Sequence, residues 1–327
     1  MNYSRPTQND VATRAGVSRG LVSQILTGTD RATPGVRARV LQAAQDLGYR
    51  TNYAAAQLAS RRSGVIALTV PSLGNPIYHA LFEGIAEAGD ELGRSVLLAV
   101  IGHNDPRAER TTDRLLGLMP EGLVLVDPTE PDDVLQEIAS IIPTVVTGRG
   151  RTVDGVTSVV IDEARAAQDV VTHLVGRGFT RLVYVTSPWT DAEPNNLIRR
   201  RAVAQAAAQA GLTTQFLRCE SERAREVGSL AKAAGKMAFV AYNDVLGVEV
   251  LAELRESGRA LGSEVALVSY DNSQLASNPR TPLTSIDISP REMGRLSVAA
   301  LSGMETHGEK GVIVPHRLVI RASSTGA

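Results

Sequence analysis

The stretch that decides the fold is Thr7-Gln8-Asn9-Asp10-Val11-Ala12-Thr13-Arg14-Ala15-Gly16-Val17-Ser18-Arg19-Gly20-Leu21-Val22-Ser23-Gln24-Ile25-Leu26-Thr27-Gly28. Thr7 stands three residues before Asp10, a capping-box-like start, and Val11, Ala12 and Ala15 recur at helical spacing until Gly16 breaks the helix. Ser18 is the next cap. Leu21, Val22, Ile25 and Leu26 make an apolar stripe, leaving Arg19, Gly20, Ser23, Gln24 and Thr27 on the opposite face before Gly28. Thr33-Pro34 starts a third helix, which carries Val36, Val40, Ala44 and Leu47 as far as Gly48. Two helices joined by a tight glycine turn, with a third closing the core, are the parts of a helix-turn-helix.

Charge separates this head from the rest. Residues 1–62 hold nine arginines against three acids, a net +6, whereas the remainder holds 25 basic and 32 acidic residues, a net −7. A polyanion is therefore drawn to one end of the chain only. The length of 327 residues predicts two or three domains. With 43% hydrophobic and 21% charged residues, neither wholesale disorder nor a uniformly basic coat fits. Aromatics are 4%, so Ala, Val, Leu and Ile must build the core. One cysteine, Cys219, excludes an internal disulfide and a thiolate zinc site, which suits a reducing cytoplasm. No run approaches the roughly 18 apolar residues of a membrane span, and the amino terminus has no apolar signal segment, so a cytoplasmic location is expected.

The residues Asp10 to Ser18, Val22 to Gly28 and Arg39 to Asn52 resemble the head of the LacI/GalR family of bacterial transcriptional repressors, and the resemblance extends over nearly the whole chain. It implies that the second helix enters the major groove, with Arg19, Gly20 and Gln24 at base-reading sites and Ser18 and Ser23 near phosphates. Arg19 would bridge guanine O6 and N7 and Gln24 would pair with adenine, whereas Gly20 has no side chain to read with. Leu21 stands where members commonly have threonine and Gln24 where they have arginine, so a different operator is expected. Residues 51–63 match the family's hinge helix, which implies minor-groove contacts for Asn52, Ala55 and Leu58, Leu58 being the wedge that unstacks a base step. Thr51 replaces a proline and Ala59 a basic residue there; Arg61 and Arg62 can compensate through phosphates.

From Gly64 the pattern becomes apolar runs alternating with helices. Val65 to Val70, Val96 to Ile101, Leu123 to Val126 and Thr144 to Thr147 read as one set of strands; Leu182 to Thr186, Ala238 to Tyr242 and Ala266 to Ser269 read as another. Near-continuous apolar strands separated by helices mean parallel sheets covered on both faces. The expected fold is α/β: a three-helix helix-turn-helix head (1–50), a hinge helix and linker (51–63), and a two-lobed periplasmic-binding-protein-like body with two parallel sheets (64–327). Within the body, one lobe is expected from about 64–161 plus 289–311 and the other from about 162–288 plus 312–323.

Ligands of such sheets bind beyond the carboxyl ends of the strands. There the sequence offers Ser72, Asn75 and Tyr78, then Arg149, Trp189, Asn243 and Asp271. Amide, carboxylate, hydroxyl and guanidinium groups beside aromatic rings suit a small polyhydroxylated ligand, although such residues also cap helices. The resemblance implies that Arg199, Asn243 and Asp271 grip sugar hydroxyls. Gly148 stands where a relative has a pocket aspartate; Arg149 beside it would favour an anionic or phosphorylated effector, or would form a structural ion pair. Ile288 replaces a residue that is polar in some relatives, so the effector need not be a galactoside.

Catalytic signatures are missing: there is no H-E-x-x-H, no G-x-x-x-x-G-K-[ST], no G-x-G-x-x-G after a strand and no G-x-S-x-G nucleophile elbow, since Gly16 to Gly20 matches that spacing only in the turn between two helices, and the five histidines are scattered. The expected function is a DNA-binding regulator, a homodimer on a palindromic operator, tuned by a sugar or related metabolite, with no cofactor, metal or membrane. The alternatives are a periplasmic-type sugar-binding protein, against which the basic head argues, and a regulator with a decayed pocket.

Overall fold

The computed structural model describes residues 6–50, 63–103, 105–149, 153–188, 190–191, 193–220, 224–233, 235–303 and 311–326. They fall into two compact units, one within 1–63 and the other within 64–327.

In the first unit α1 (Gln8–Ala15) starts with a reciprocal cap: the Thr7 hydroxyl accepts the Asp10 N–H, and the Asp10 carboxylate accepts the Thr7 N–H at 2.7 Å. Gly16 ends it at φ +66°, the left-handed region in which a side chain is strained. For α2 (Arg19–Thr27) the cap is Ser18 Oγ, which accepts the Leu21 N–H. Pro34 opens α3 (Pro34–Asp46) at its first turn. Val11, Ala12, Ala15, Val22, Ile25, Val40, Ala43 and Ala44 form the core that the three apolar stripes predict.

Two six-stranded sheets make the second unit. The first contains β1 (Val65–Val70), β2 (Ser95–Val100), β3 (Gly122–Val126), β4 (Thr144–Thr147), β5 (Thr157–Ile161) and β11 (Val312–Val314), all parallel, in the order β11-β5-β4-β3-β1-β2. The second contains β6 (Arg181–Thr186), β7 (Thr213–Arg218), β8 (Met237–Ala241), β9 (Val265–Asp271), β10 (Thr284–Asp287) and β12 (Arg317–Val319), in the order β12-β10-β9-β8-β6-β7. Only β12 in this sheet runs antiparallel. Helices α4 (Ile77–Glu91), α5 (Ala108–Gly117), α6 (Asp132–Ile141) and α12 (Pro290–Leu301) belong to the first lobe. The second lobe has α7 (Glu163–Gly176), α8 (Pro194–Gln209), α9 (Arg225–Ala231), α10 (Asp244–Glu256), α11 (Gln274–Ser277) and α13 (Ala322–Thr325).

The chain passes between the lobes three times, at residue 162, at 288–289 and at 315–316. The last passage corrects the expected boundary after 311. Val312–Val314 is a short apolar strand that pairs with Val159–Ile161 in the first sheet, and only from Arg317 does the chain join the second. In each sheet the order reverses beside the first strand, with β1 between β2 and β3 and β6 between β7 and β8. Loops leaving those strands diverge, and a crevice opens between them.

Two glycines bring α4 and α12 into backbone contact. A Cβ on Gly84 would overlap the Arg291 carbonyl, and one on Gly294 would overlap the Leu81 carbonyl oxygen.

Candidate functional site

The three acids of the head are all engaged locally: Asp10 in the cap, Asp30 with Arg37 and Asp46 with Arg14, both ion pairs at 3.0 Å. Arg19, Arg31, Arg39 and Arg50 are exposed and have no acidic partner among the described residues. On α2 the same rotation that buries Val22 and Ile25 leaves Ser18, Arg19, Gly20 and Gln24 exposed, with Ser23 half-buried. These five expected DNA contacts therefore share one surface. Asn52, Ala55 and Leu58 lie outside the described residues, so the hinge expectation is not addressed by the fold.

Between the lobes of the second unit lies a cleft of about 470 Å³. Ser72, Asn75 and Tyr78 after β1, Asn243 after β8, Asp271 at the end of β9, and Arg199 on α8 all line it. Trp189 lies outside the described residues. Arg149 does not line it, which corrects the expectation of an anion-binding arginine. Its guanidinium turns into the loop after β3, donating to the carbonyl of Glu130 at 2.6 Å and to Asp132 at 2.7 Å, with the side chain nearly buried. The structural ion pair is the outcome here.

Among the lining residues that escaped the sequence reading are His103, Asp127, Glu163, Glu193 and Tyr242. They make most of its polar network. Arg199, 2% exposed, is held by Glu163 through three hydrogen bonds of 2.7–3.2 Å and by the Tyr242 carbonyl at 2.7 Å, and its guanidinium lies 4.0 Å over the Tyr270 ring. Burial alone opposes its charge, but the Glu163 carboxylate overrides that and keeps the guanidinium firmly protonated. Tyr242 donates to Glu193 at 2.6 Å.

Two hydrogen-bonded pairs of described side chains cross the cleft. Asn75 Nδ2 donates to Asp271 Oδ2 at 3.0 Å, and His103 Nε2 pairs with Glu193 Oε1 at 3.0 Å. The Glu193 hydrogen bond raises the His103 pKa against the opposing effect of burial. Asn243 caps α10, its Oδ1 accepting the Leu246 N–H at 3.0 Å, so its amide NH2 faces the cleft region with the oxygen already committed. Asp271 adopts φ +104°, a backbone strain that fixes its carboxylate at the strand end.

Gly148 explains how an acid enters this wall. It has φ +79°, and a Cβ there would overlap Asp127 Oδ1. The missing side chain leaves room for a carboxyl that arrives from the neighbouring strand, β3. Asp127 accepts from the Tyr78 hydroxyl at 2.9 Å through Oδ2. Burial first, then the charge of Glu193, pushes its pKa from 3.8 to about 7. Between those two values the folded protein keeps a proton that the unfolded chain has lost, so this group lowers stability as pH rises through that window. Asp127→Asn is therefore expected to be near neutral at pH ~4 and to stabilise by about 1–2 kcal/mol at pH ~8, allowing for partial exposure. Denaturant unfolding at both pH values measures it; a pH-independent difference would contradict the assignment.

Among the described residues no His, Cys, Asp or Glu cluster is arranged to hold a metal ion, and no helix is long and apolar enough to cross a membrane.

Comparison with known proteins places this two-part arrangement. The chain is 30% identical to the HTH-type transcriptional regulator CelR of Thermobifida fusca, over 96% of this chain and 97% of that one. It belongs to the lacI family. The family model for bacterial regulatory proteins of the lacI family matches residues 7–52, and that for the periplasmic binding protein-like domain matches 171–324. The HTH-type transcriptional regulator DegA of Bacillus subtilis (strain 168) is 28% identical over 98% of both chains. A solved complex of the transcriptional regulator CelR with cellobiose is 28% identical, superposes with a TM-score of 0.67, and is covered in full by 98% of this chain. The lac repressor dimer bound to operator and the anti-inducer ONPF shares the fold, with a TM-score of 0.84 at 22% identity, covering 99% of this chain and all of that one. The expected lacI-family fold, a helix-turn-helix head with a body of two predominantly parallel sheets, is thus the one found.

Proposed function

We propose that this lacI-family regulator is a homodimeric repressor that binds a palindromic operator and is tuned by a small sugar or sugar derivative held between its lobes. The observation that carries the proposal is the exposed α2 face. A cap, a buried stripe and an Arg19–Gln24 surface stand on a head whose three acids are all engaged within it, two in ion pairs and one in a helix cap. Phosphate attraction supplies affinity, and base edges supply selectivity. In this reading Arg19 and Gln24 read bases, Ser18 and Ser23 address phosphates, Gly20 allows close approach, and Asn52, Ala55 and Leu58 serve the minor groove. The protein works where the chromosome is, in the cytoplasm, and does no catalysis.

Effector coupling is a difference in affinity. A ligand bridging the cleft favours the lobe arrangement it fits, and typical coupling of about 1–3 kcal/mol changes operator affinity some 5- to 150-fold. Ser72, Asn75, Tyr78, Arg199, Asn243 and Asp271 are the proposed effector contacts. The relatives support this: a regulator of the same family is known in complex with cellobiose.

The test is selection of inverted-repeat fragments from a genomic pool, followed by Arg19→Ala. The substitution is expected to cost about 1–3 kcal/mol of specific binding and to relax preference at one base position. Unaltered specificity would remove Arg19 from the reading surface, and selection of no inverted repeat, with or without candidate sugars, would refute the repressor function.

A further inference from the structure

The cleft contains more acid than base. Glu163 is matched by Arg199 and Glu193 by His103, each at hydrogen-bond distance. Of the other lining carboxyl groups, the two at the strand ends of the cleft, Asp271 and Asp127, form no ion pair among the described residues. Asp271 is 5% exposed; its Oδ2 accepts from the neutral Asn75 amide, and its Oδ1 has no partner among the described residues. Asp127 accepts from the neutral Tyr78 hydroxyl, and its buried Oδ1 likewise has no hydrogen-bond partner. Arg199 makes no ion pair with either, and Arg149, the other candidate cation, is spent on Asp132.

Each carboxyl also sits in a field that disfavours its charge. Burial is the main cause for both, with Glu193 adding to it at Asp127 and Asp244 and Asp127 adding to it at Asp271; the charge of Arg199, and of His103 at Asp127, offsets it only in part. Hydroxyl groups of a neutral sugar would fill the vacant acceptor position on Asp271 but leave this repulsion in place. An anionic ligand would worsen it. A ligand cation removes it, and in a confined, poorly solvated cleft that difference is large.

Resting on the cleft's reading as the effector site, we infer that the effector is an amino sugar or amino polyol whose protonated amine faces Asp127 and Asp271. The hydroxyl frame then meets Asn75, Asn243 and Arg199, while the ammonium supplies the paired counter-charge that the more distant Arg199 and His103 do not. This reverses the preference expected from Arg149 in the sequence.

The experiment uses the full chain and matched ligand sets at neutral pH, by thermal shift and titration calorimetry. D-glucosamine, D-galactosamine, D-mannosamine and the disaccharide of glucosamine are each compared with the neutral parent sugar and with the corresponding uronate. At least one amine is expected to bind about 10-fold or more tightly than its parent, and no uronate to bind. Asp271→Asn and Asp127→Asn keep the side-chain shape, and asparagine tolerates positive φ. Each variant is expected to reduce the amine to the affinity of its parent, with a cooperative melt as the control for folding. A neutral parent or uronate that binds as tightly as its amine overturns this inference while leaving the sugar-sensing function intact. If no member of any set binds, both fall. An amine preference that survives in both variants also overturns the assignment to these carboxyl groups.

Discussion

Arg199→Ala is expected to destabilise the two-lobed body by about 3–5 kcal/mol, because it strands a buried carboxylate. Glu163 is 6% exposed and receives its three charge-assisted hydrogen bonds from this one side chain. The same change removes the guanidinium from the Tyr242 carbonyl and from its stack on Tyr270. The cost therefore lies mainly in the unpaired partner rather than in the worth of the pair. That distinction can be tested with the double variant Arg199→Met/Glu163→Leu, which removes both charges and fills the space. Denaturant unfolding is expected to return most of the lost stability in the double variant while the effector response stays lost. A double variant as unstable as the single would show that packing, and not the stranded charge, dominates.

Gly84→Val is expected to cost about 3 kcal/mol or more, since the obstacle to its side chain is backbone. The first atom added at position 84 overlaps the Arg291 carbonyl of α12, and Gly294 faces Leu81 in the same way, so neither helix can yield without the other. Overpacking against movable side chains commonly costs about 1–3 kcal/mol; here a whole helix must shift. Gly117→Ala in α5 is the control. Nothing lies within 4 Å of the added methyl, and the helix gains propensity, so a small stabilisation of about 0.5–1 kcal/mol is expected. Equal losses at positions 84 and 117 in thermal or denaturant melts would rule out the close helix crossing.

What could be read from the sequence followed physical simplicity. Caps and glycine stops at Thr7, Gly16, Ser18, Gly28 and Pro34 are local, so the head emerged with its helices and core nearly complete. Central strands such as Leu123 to Val126 are buried on both faces and announce themselves as apolar runs. Most edge strands do not, although the apolar edge strand β2 was read, and two short inner strands, β5 and β10, also went unread. Thr213–Arg218 is half exposed and largely polar, and Val312–Val314 and Arg317–Val319 are three residues each, so all three went unread.

The site divided in the same way. Residues directly after a recognised strand, such as Asn75 and Asn243, were found by the strand-end rule. Applied to Val126, the same rule points at Asp127, and applied to Ile101 it points at His103. Glu163 follows β5, a strand that went unread, and Glu193 carries no such signal: it stands near a helix start and becomes a cleft residue only because the lobes fold against each other. Arg149 misled because proximity to a strand end does not say which way a long side chain turns. Here two loop carbonyls and Asp132 capture it.

The placement of β11 and β12 also bears on how the protein is made. Each sheet receives an outermost strand from residues 312–319, made after all the other strands of both lobes. Until then a nascent polypeptide would present β5 and β10 as unpaired margins, the kind of surface on which a second unfinished copy can add a strand. Residues 312–319 thus complete both halves at once, and a chain cut just before them would leave neither half intact.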